Sequence, residues 1–229
     1  NQDSADYHAV DTRCSRLHIF CRFPDRFIRP IEPAILPTQL SRRVAIRRLS
    51  LPGLTEILLV VVHMPSKLYR SNYDQGAIYR DLAKAIGAAE QMAQHTRTVV
   101  IGDLNRHPFD ESIIAADGLH AVSSRKVANR GERTVNGQAY RFFYNPMWGL
   151  LGDVASEPPG TYYYDNGMAS YFWCMLDQVL IRPVLISIFD KDALMILVSD
   201  GEQSLLTQTG LPDKAHASDH LPLLFRLQL

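Results

Sequence analysis

The run Val99-Val100-Ile101 stops at Gly102 and then presents Asp103-Leu104-Asn105. β-Branched residues are stiff at χ1 and pack well on a pleated surface, so the run reads as a buried strand. The acid and the amide sit where that strand ends. Close to the C-terminus the same grammar recurs, with Ser218-Asp219-His220 placed just before the apolar stretch Leu221 to Leu229. A sheet with dry strands and polar strand ends is how an α/β protein presents its chemistry. Oxygen and imidazole groups of this kind suit a divalent cation and a phosphate.

Other segments fit the same frame. Strands are expected at Arg16–Phe23, Arg43–Ser50, Glu56–His63, Arg97–Ile101, Tyr140–Tyr144, Gln178–Ile181, Leu194–Val198 and Leu221–Leu227, with further β structure at Gly160–Tyr164 and Ser170–Trp173. A Pro-rich loop is expected through Pro24, Pro30, Pro33 and Pro37. Apolar residues at Ile78, Leu82, Ile86, Ala89 and Met92 recur at helical spacing, which predicts one amphipathic helix over Asn72–His95. Pro108-Phe109-Asp110-Glu111 reads as the start of a short helix with acids in its first turn. Strands outnumber helices, so the expected class is an α/β sandwich and not a barrel of regular βα repeats.

At 229 residues, 46% hydrophobic and 21% charged, the chain reads as one soluble globular domain over residues 1–229. Its 24 basic and 24 acidic residues cancel, which argues against nucleic-acid binding through bulk charge. The basic residues are nonetheless clustered. Arg42, Arg43, Arg47 and Arg48 form one group, and Arg125, Lys126, Arg130 and Arg133 another. Each is read first as a solvated surface and second as a phosphate contact. Cys14, Cys21 and Cys174 have no metal-site spacing and imply reduced thiols in a cytoplasmic protein. No apolar run reaches the length of a membrane span; Leu54 to Val62 is strand-sized and contains Glu56.

Six polar residues fall at strand ends: His63, Asp103, Asn105, Asp177, Asp219 and His220. Taken singly, each has an ordinary explanation. A lone His after an apolar run is usually a satisfied histidine, Asp177 could simply end a strand, and Asn105 could be a turn residue. Together they form four segments in order: Val60-Val61-Val62-His63, Gly102-Asp103-Leu104-Asn105, Met175-Leu176-Asp177-Gln178 and Ser218-Asp219-His220-Leu221-Pro222.

In these four segments the chain resembles the endonuclease/exonuclease/phosphatase superfamily, the deoxyribonuclease I-like proteins. The resemblance implies a four-layered α/β sandwich, two mixed β-sheets flanked by helices. It implies hydrolysis of phosphoester bonds with Mg²⁺ or Mn²⁺, by a phosphodiesterase or a nuclease acting on nucleic acid. Carried over by position, Asp103 orients or deprotonates the attacking water. Asn105 holds that water or a phosphate oxygen, and His220 contacts the scissile phosphate with Asp177 fixing its tautomer. His63 is a second imidazole near the phosphate or leaving group. Asp219 lies at the metal, with Asp103 and Asn105 beside it. Lys67 is a phosphate contact set against a solvated lysine, and Trp173, four residues before Asp177, lines the site.

One departure stands against these matches. The family carries a metal-binding Glu on an early strand, and the only Glu residues before His63 are Glu32 and Glu56, neither at the end of a buried strand. The domain is therefore expected to lack an N-terminal strand–helix–strand unit. Either the sequence is incomplete, or another chain supplies the unit, or the protein is a weakened or inactive member kept for binding a partner. The residues leave DNA, RNA, a nucleotide and a lipid headgroup open as substrates.

Overall fold

Valine- and isoleucine-rich runs become the middle of a sheet, and their flanks become its loops. The computed structural model describes residues 7–32, 36–66, 72–152, 158–168 and 170–229, with only the backbone of 72–75. The strands in chain order are β1 (His8–Val10), β2 (Ile19–Cys21), β3 (Ile28–Pro30), β4 (Val44–Leu49), β5 (Ile57–His63), β6 (Thr98–Asp103), β7 (Ala121–Val122) and β8 (Glu132–Val135). There follow β9 (Gln138–Arg141), β10 (Phe143–Tyr144), β11 (Tyr162–Tyr164), β12 (Phe172–Cys174), β13 (Asp177–Ile181), β14 (Phe189–Ile196) and β15 (Leu223–Leu227).

Seven of these strands form a mixed sheet in the order β3-β4-β5-β6-β13-β10-β7. β5 and β6 are parallel, and β13 runs antiparallel to β6. A parallel pair needs a crossover, and the helix Asn72–Ala93 supplies it. Its residues Ile78, Leu82, Ile86 and Ala89 are at most 2% exposed and pack on Leu58, Val60, Val62, Val100 and Leu180. The opposite face of the sheet presents Val99, Val179, Ile181, Phe142 and Tyr144 to a second cluster. That cluster includes Phe189, Leu194, Ile196 and Leu221, from the antiparallel β14–β15 ladder and its approach. Toward β4 and β5, Cys14 and Leu17 cover Ala45 and Val61.

The class is the α/β one expected, with helix on one face of a mixed sheet and strands on the other. Among the described residues the strands of that second layer are paired two by two, as β1–β2, β11–β12 and β14–β15. No helix of the described residues is long and apolar enough to cross a membrane. Cys14, Cys21 and Cys174 are free thiols.

Several local expectations change. The Pro-rich stretch contains an edge strand, β3, which pairs with β4. Pro30 is tolerated there because an edge position does not need its missing N–H. Tyr140–Tyr144 divides into β9 and β10, which belong to different sheets. β14 starts at Phe189, earlier than its apolar end suggests, because Lys191 and Asp192 are exposed where its register with β15 shifts. Of the first arginine group only Arg42 is exposed. Arg47 is 3% exposed, and its guanidinium donates to the carbonyls of Ile46 and Asp11, each at 2.9 Å. Arg48 lies 3.5 Å from Glu56 and donates to the Met92 carbonyl.

A buried ion pair joins the helix to the sheet. Glu90 and Arg182 are 2% and 6% exposed. Arg182 Nε donates to Glu90 Oε1 at 2.7 Å, and Thr98 Oγ1 donates to the same oxygen at 2.8 Å. The guanidinium also lies 3.8 Å from the centre of the Phe143 ring.

Candidate active site

Strand polarity brings distant residues to one edge of the sheet. β5 and β6 both end there, and antiparallel β13 begins there. The register pairs His63 with Asp103, and Asp103 with Asp177. On the other side the His63 N–H donates to the Arg43 carbonyl at 2.9 Å. Arg43, His63, Asp103 and Asp177 therefore form a row across four strands, each step about 4.8 Å.

The close approach of β5 explains Gly102, near the end of β6. Its φ is +128°, and a Cβ there would stand 2.1 Å from the Val62 carbonyl oxygen. Gly102→Ala is expected to destabilise the protein by at least about 2 kcal/mol, through strain at positive φ and backbone overlap. Urea denaturation measures this, and a loss under 0.5 kcal/mol (roughly the background for a harmless change) would contradict it. Asn105 follows at φ +49°, a left-handed conformation that Asn tolerates. Its backbone N–H donates to Asp103 Oδ1 at 2.7 Å. Its side-chain amide donates to Asp103 Oδ2 at 2.6 Å and to the Met64 carbonyl at 2.8 Å. Asn105 thus acts on Asp103 and the backbone, with its side-chain carbonyl left for a ligand. The Tyr79 hydroxyl of the long helix donates to the Leu104 carbonyl and supports the same turn.

His220 Nδ1 lies 2.7 Å from Asp177 Oδ2. A carboxylate only accepts, so Nδ1 carries hydrogen and Nε2 is the atom left for a ligand. Burial alone lowers the His220 pKa, but the Asp177 hydrogen bond and charge, then Asp103 and Asp219, outweigh it and leave the pKa raised. Asp103 is pushed up to about 7 by burial and by the charge of Asp177, against the Asn105 N–H. His63 goes the other way: burial, Arg43 and Arg16 lower it, so a neutral imidazole is favoured. Its Nε2 lies 3.8 Å from Asp103 Oδ2.

Three residues, none of them among the candidate site residues of the sequence, position the site. Thr161 is fully buried, and its Oγ1 accepts from the N–H groups of Leu176 and Asp177 at 3.2 and 3.1 Å. Its carbonyl accepts from Leu221 N–H at 2.8 Å, so one threonine ties Asp177 and His220 together. Gln178 and Asn145 are also fully buried. Asn145 Nδ2 donates to Gln178 Oε1 at 2.8 Å, and Gln178 Nε2 donates to the Arg106 carbonyl. A polar amide directly after Asp177 in a buried strand was the one available hint.

Asp103, Asp177 and His220 offer ligand atoms within 4.8 Å of one another. Two carboxylates this close, one with a raised pKa, fit a divalent cation that would relieve their repulsion. Asp219 is outside this trio; its side chain is 48% exposed and lies 3.8 Å from Lys214 Nζ. Lys67 lies outside the described residues. Trp173 is half-buried, packs on the second cluster and meets Tyr163 at 5.4 Å. The ring beside His220 is that of Tyr162, at 4.8 Å. Neither early glutamate reaches the site. Glu32 pairs with Arg13, and Glu56 bonds Ser50 and His95 at the start of β5. Arg130 and Arg133 line a cleft of about 280 Å³ beside His120 and Phe142, at the β7–β10 edge of the sheet.

No family model and no curated protein matches the chain. Among solved structures, it is similar to the 3'-5' exonuclease NExo from Neisseria meningitidis, at 15% identity over 88% of this chain and 71% of that one, TM-score 0.47. It is similar to the endonuclease domain of the telomere-specific retrotransposon TRAS1, at 13% identity over 88% and 69%, TM-score 0.41. It is also similar to the catalytic domain of human nocturnin, at 17% identity over 86% and 56%, TM-score 0.43.

Proposed function

We propose that this chain hydrolyses phosphoester bonds with the help of Mg²⁺ or Mn²⁺, as a member of the endonuclease/exonuclease/phosphatase superfamily. The observation that carries the reading is the meeting of Asp103, Asp177 and His220, drawn from three distant segments, with His63 in register beside them. These are three of the four segments in which the sequence resembles that superfamily, joined by the fourth.

Hydrolysis of a phosphoester needs a water aligned on phosphorus and stabilisation of charge on the phosphoryl oxygens, and the leaving oxygen takes its proton from solvent. Asp103, in the row between His63 and Asp177 and close to His220, is suited to hold the water and accept its proton. Asn105 keeps that carboxylate oriented through both of its oxygens. His220, its pKa raised by Asp177 and its ring held by the same carboxylate, would contact the phosphate through Nε2. Neutral His63 sits one strand over, with Arg43 as a source of positive charge. A divalent cation, held by the Asp103 and Asp177 carboxylates, would neutralise charge on the phosphate oxygens. In the same reading Asp219 would meet the metal directly or through water, and Lys67 would be a phosphate contact.

Turnover of bis(4-nitrophenyl) phosphate, followed with Mg²⁺ or Mn²⁺ and after chelation, tests this. Saturable, metal-dependent hydrolysis that His220→Gln reduces by roughly 10²-fold or more is expected. A folded protein without turnover in either metal would sink it. A second reading, a non-catalytic binding module, has one observation in its favour: among the described residues no glutamate stands at the site. That reading expects a folded protein that captures a partner and shows no turnover even at high metal, so the same assay separates the two.

A further inference from the structure

A group of rings, some of them exposed, gathers just beyond the Asn105 turn. His107 and Phe109, just after Asn105, stack with centroids 4.8 Å apart and planes 9° from parallel. Tyr171 meets them edge-on at 4.8 and 5.7 Å, and Trp148 meets Phe109 at 6.2 Å. The rings come from three segments: the loop after β6, the turn Pro146–Leu150 after β10, and the β11–β12 hairpin. Core aromatics are covered, yet Tyr171 is 70% exposed and Trp148 37%. Rings that gather one another and still keep surface in water mark a binding surface.

This ledge is built onto the site. Asn145, which caps the turn carrying Trp148, accepts from Met147 N–H at 3.0 Å and donates to Gln178 at 2.8 Å. Gln178 directly follows Asp177 and holds the Arg106 carbonyl, one residue before His107. Ring position and catalytic position are thus fixed by one buried hydrogen-bond chain.

We propose that Tyr171, Phe109 and Trp148 form a stacking platform for a nucleobase adjoining the phosphate in the catalytic row. The proposal rests on the phosphoesterase reading and names its substrate class: a phosphodiester linked to nucleosides. Aromatic faces suit planar bases, and stacking is indifferent to base identity. A lipid chain would call for an aliphatic groove, which these rings do not make.

The test uses two single strands of equal length, one with bases and one with an abasic residue at every position, together with a dinucleotide. The base-bearing strand is expected to show a KM on the order of tenfold lower. Tyr171→Ala brings that ratio near one, while Tyr171→Phe keeps it. A dinucleotide that matches the base-bearing strand supports the platform with a single stacked base. Equal KM for the two strands in the unaltered protein overturns the platform and leaves the phosphoesterase reading standing. Independently of turnover, Trp148 fluorescence in a Trp173→Phe protein is expected to be quenched by the base-bearing strand. No quenching overturns the platform, and quenching without turnover overturns the phosphoesterase reading alone.

Discussion

Asp177→Asn is expected to lower kcat for phosphodiester hydrolysis by roughly 10³–10⁴-fold with the fold intact. Asp177 does two things for His220: it accepts the Nδ1 hydrogen at 2.7 Å, and its charge counters the burial that would otherwise discharge the ring. An amide of the same shape keeps the packing and removes the charge. It can also present its N–H₂ to Nδ1, which selects the wrong tautomer and turns a hydrogen toward Nε2. Steady-state kinetics with a far-UV circular dichroism spectrum check the prediction. A variant within threefold of the unaltered protein would mean that His220 needs no orientation from Asp177. Thr161 lies behind this pair, so its role is positional and its loss should act through both residues.

Glu90→Ala is expected to cost about 3–5 kcal/mol of stability, because it leaves the Arg182 charge buried without its carboxylate. The Arg182 side chain is 8% exposed and that of Glu90 1%, so solvent cannot substitute for the lost partner. Arg141, 3.6 Å from Glu90, is half exposed and can turn to water. Thr98 would also lose the acceptor for its hydroxyl. For a chain of this size the loss corresponds to roughly 6–20 °C in Tm. Urea denaturation of Glu90→Ala, and of a Glu90→Leu, Arg182→Met double variant, checks it. The double variant should recover much of the loss, since two matched apolar side chains carry no stranded charge. A single-variant loss below about 1 kcal/mol would show that the pair behaves like an exposed one.

Much of the scaffold was legible because it rests on local pattern. β4, β5, β6 and β13 lie within a residue or two of their expected bounds, as does the helix Asn72–Ala93. Each combines a β-branched or helical periodicity with a clear stop. β3 was hidden because proline usually breaks strands, and its tolerance depends on a position at the sheet edge that only pairing defines. Trp173 was singled out by nearness to Asp177 in sequence. Strand alternation and the register with Tyr163 turn it into packing, and the ring beside His220 is that of Tyr162. Arg43 looked like one of four equivalent arginines. Register alone distinguishes it, since Arg47 is buried and Arg48 serves Glu56 and Met92.

The sequence by itself singled out the polar residues that the fold gathers: His63, Asp103, Asn105, Asp177 and His220 sit at or beside strand ends because strand interiors must be dry and backbone-paired. It also determined the long helix Asn72–Ala93, which the structure uses as the crossover between parallel β5 and β6. Only the tertiary structure decided who partners whom. His220 is bound to Asp177 across 43 residues, Thr161 holds both their segments, and Glu90 meets Arg182 across 92. Such contacts follow from strand order and register, which are set by the packing of whole faces, and no window of neighbouring residues contains that information.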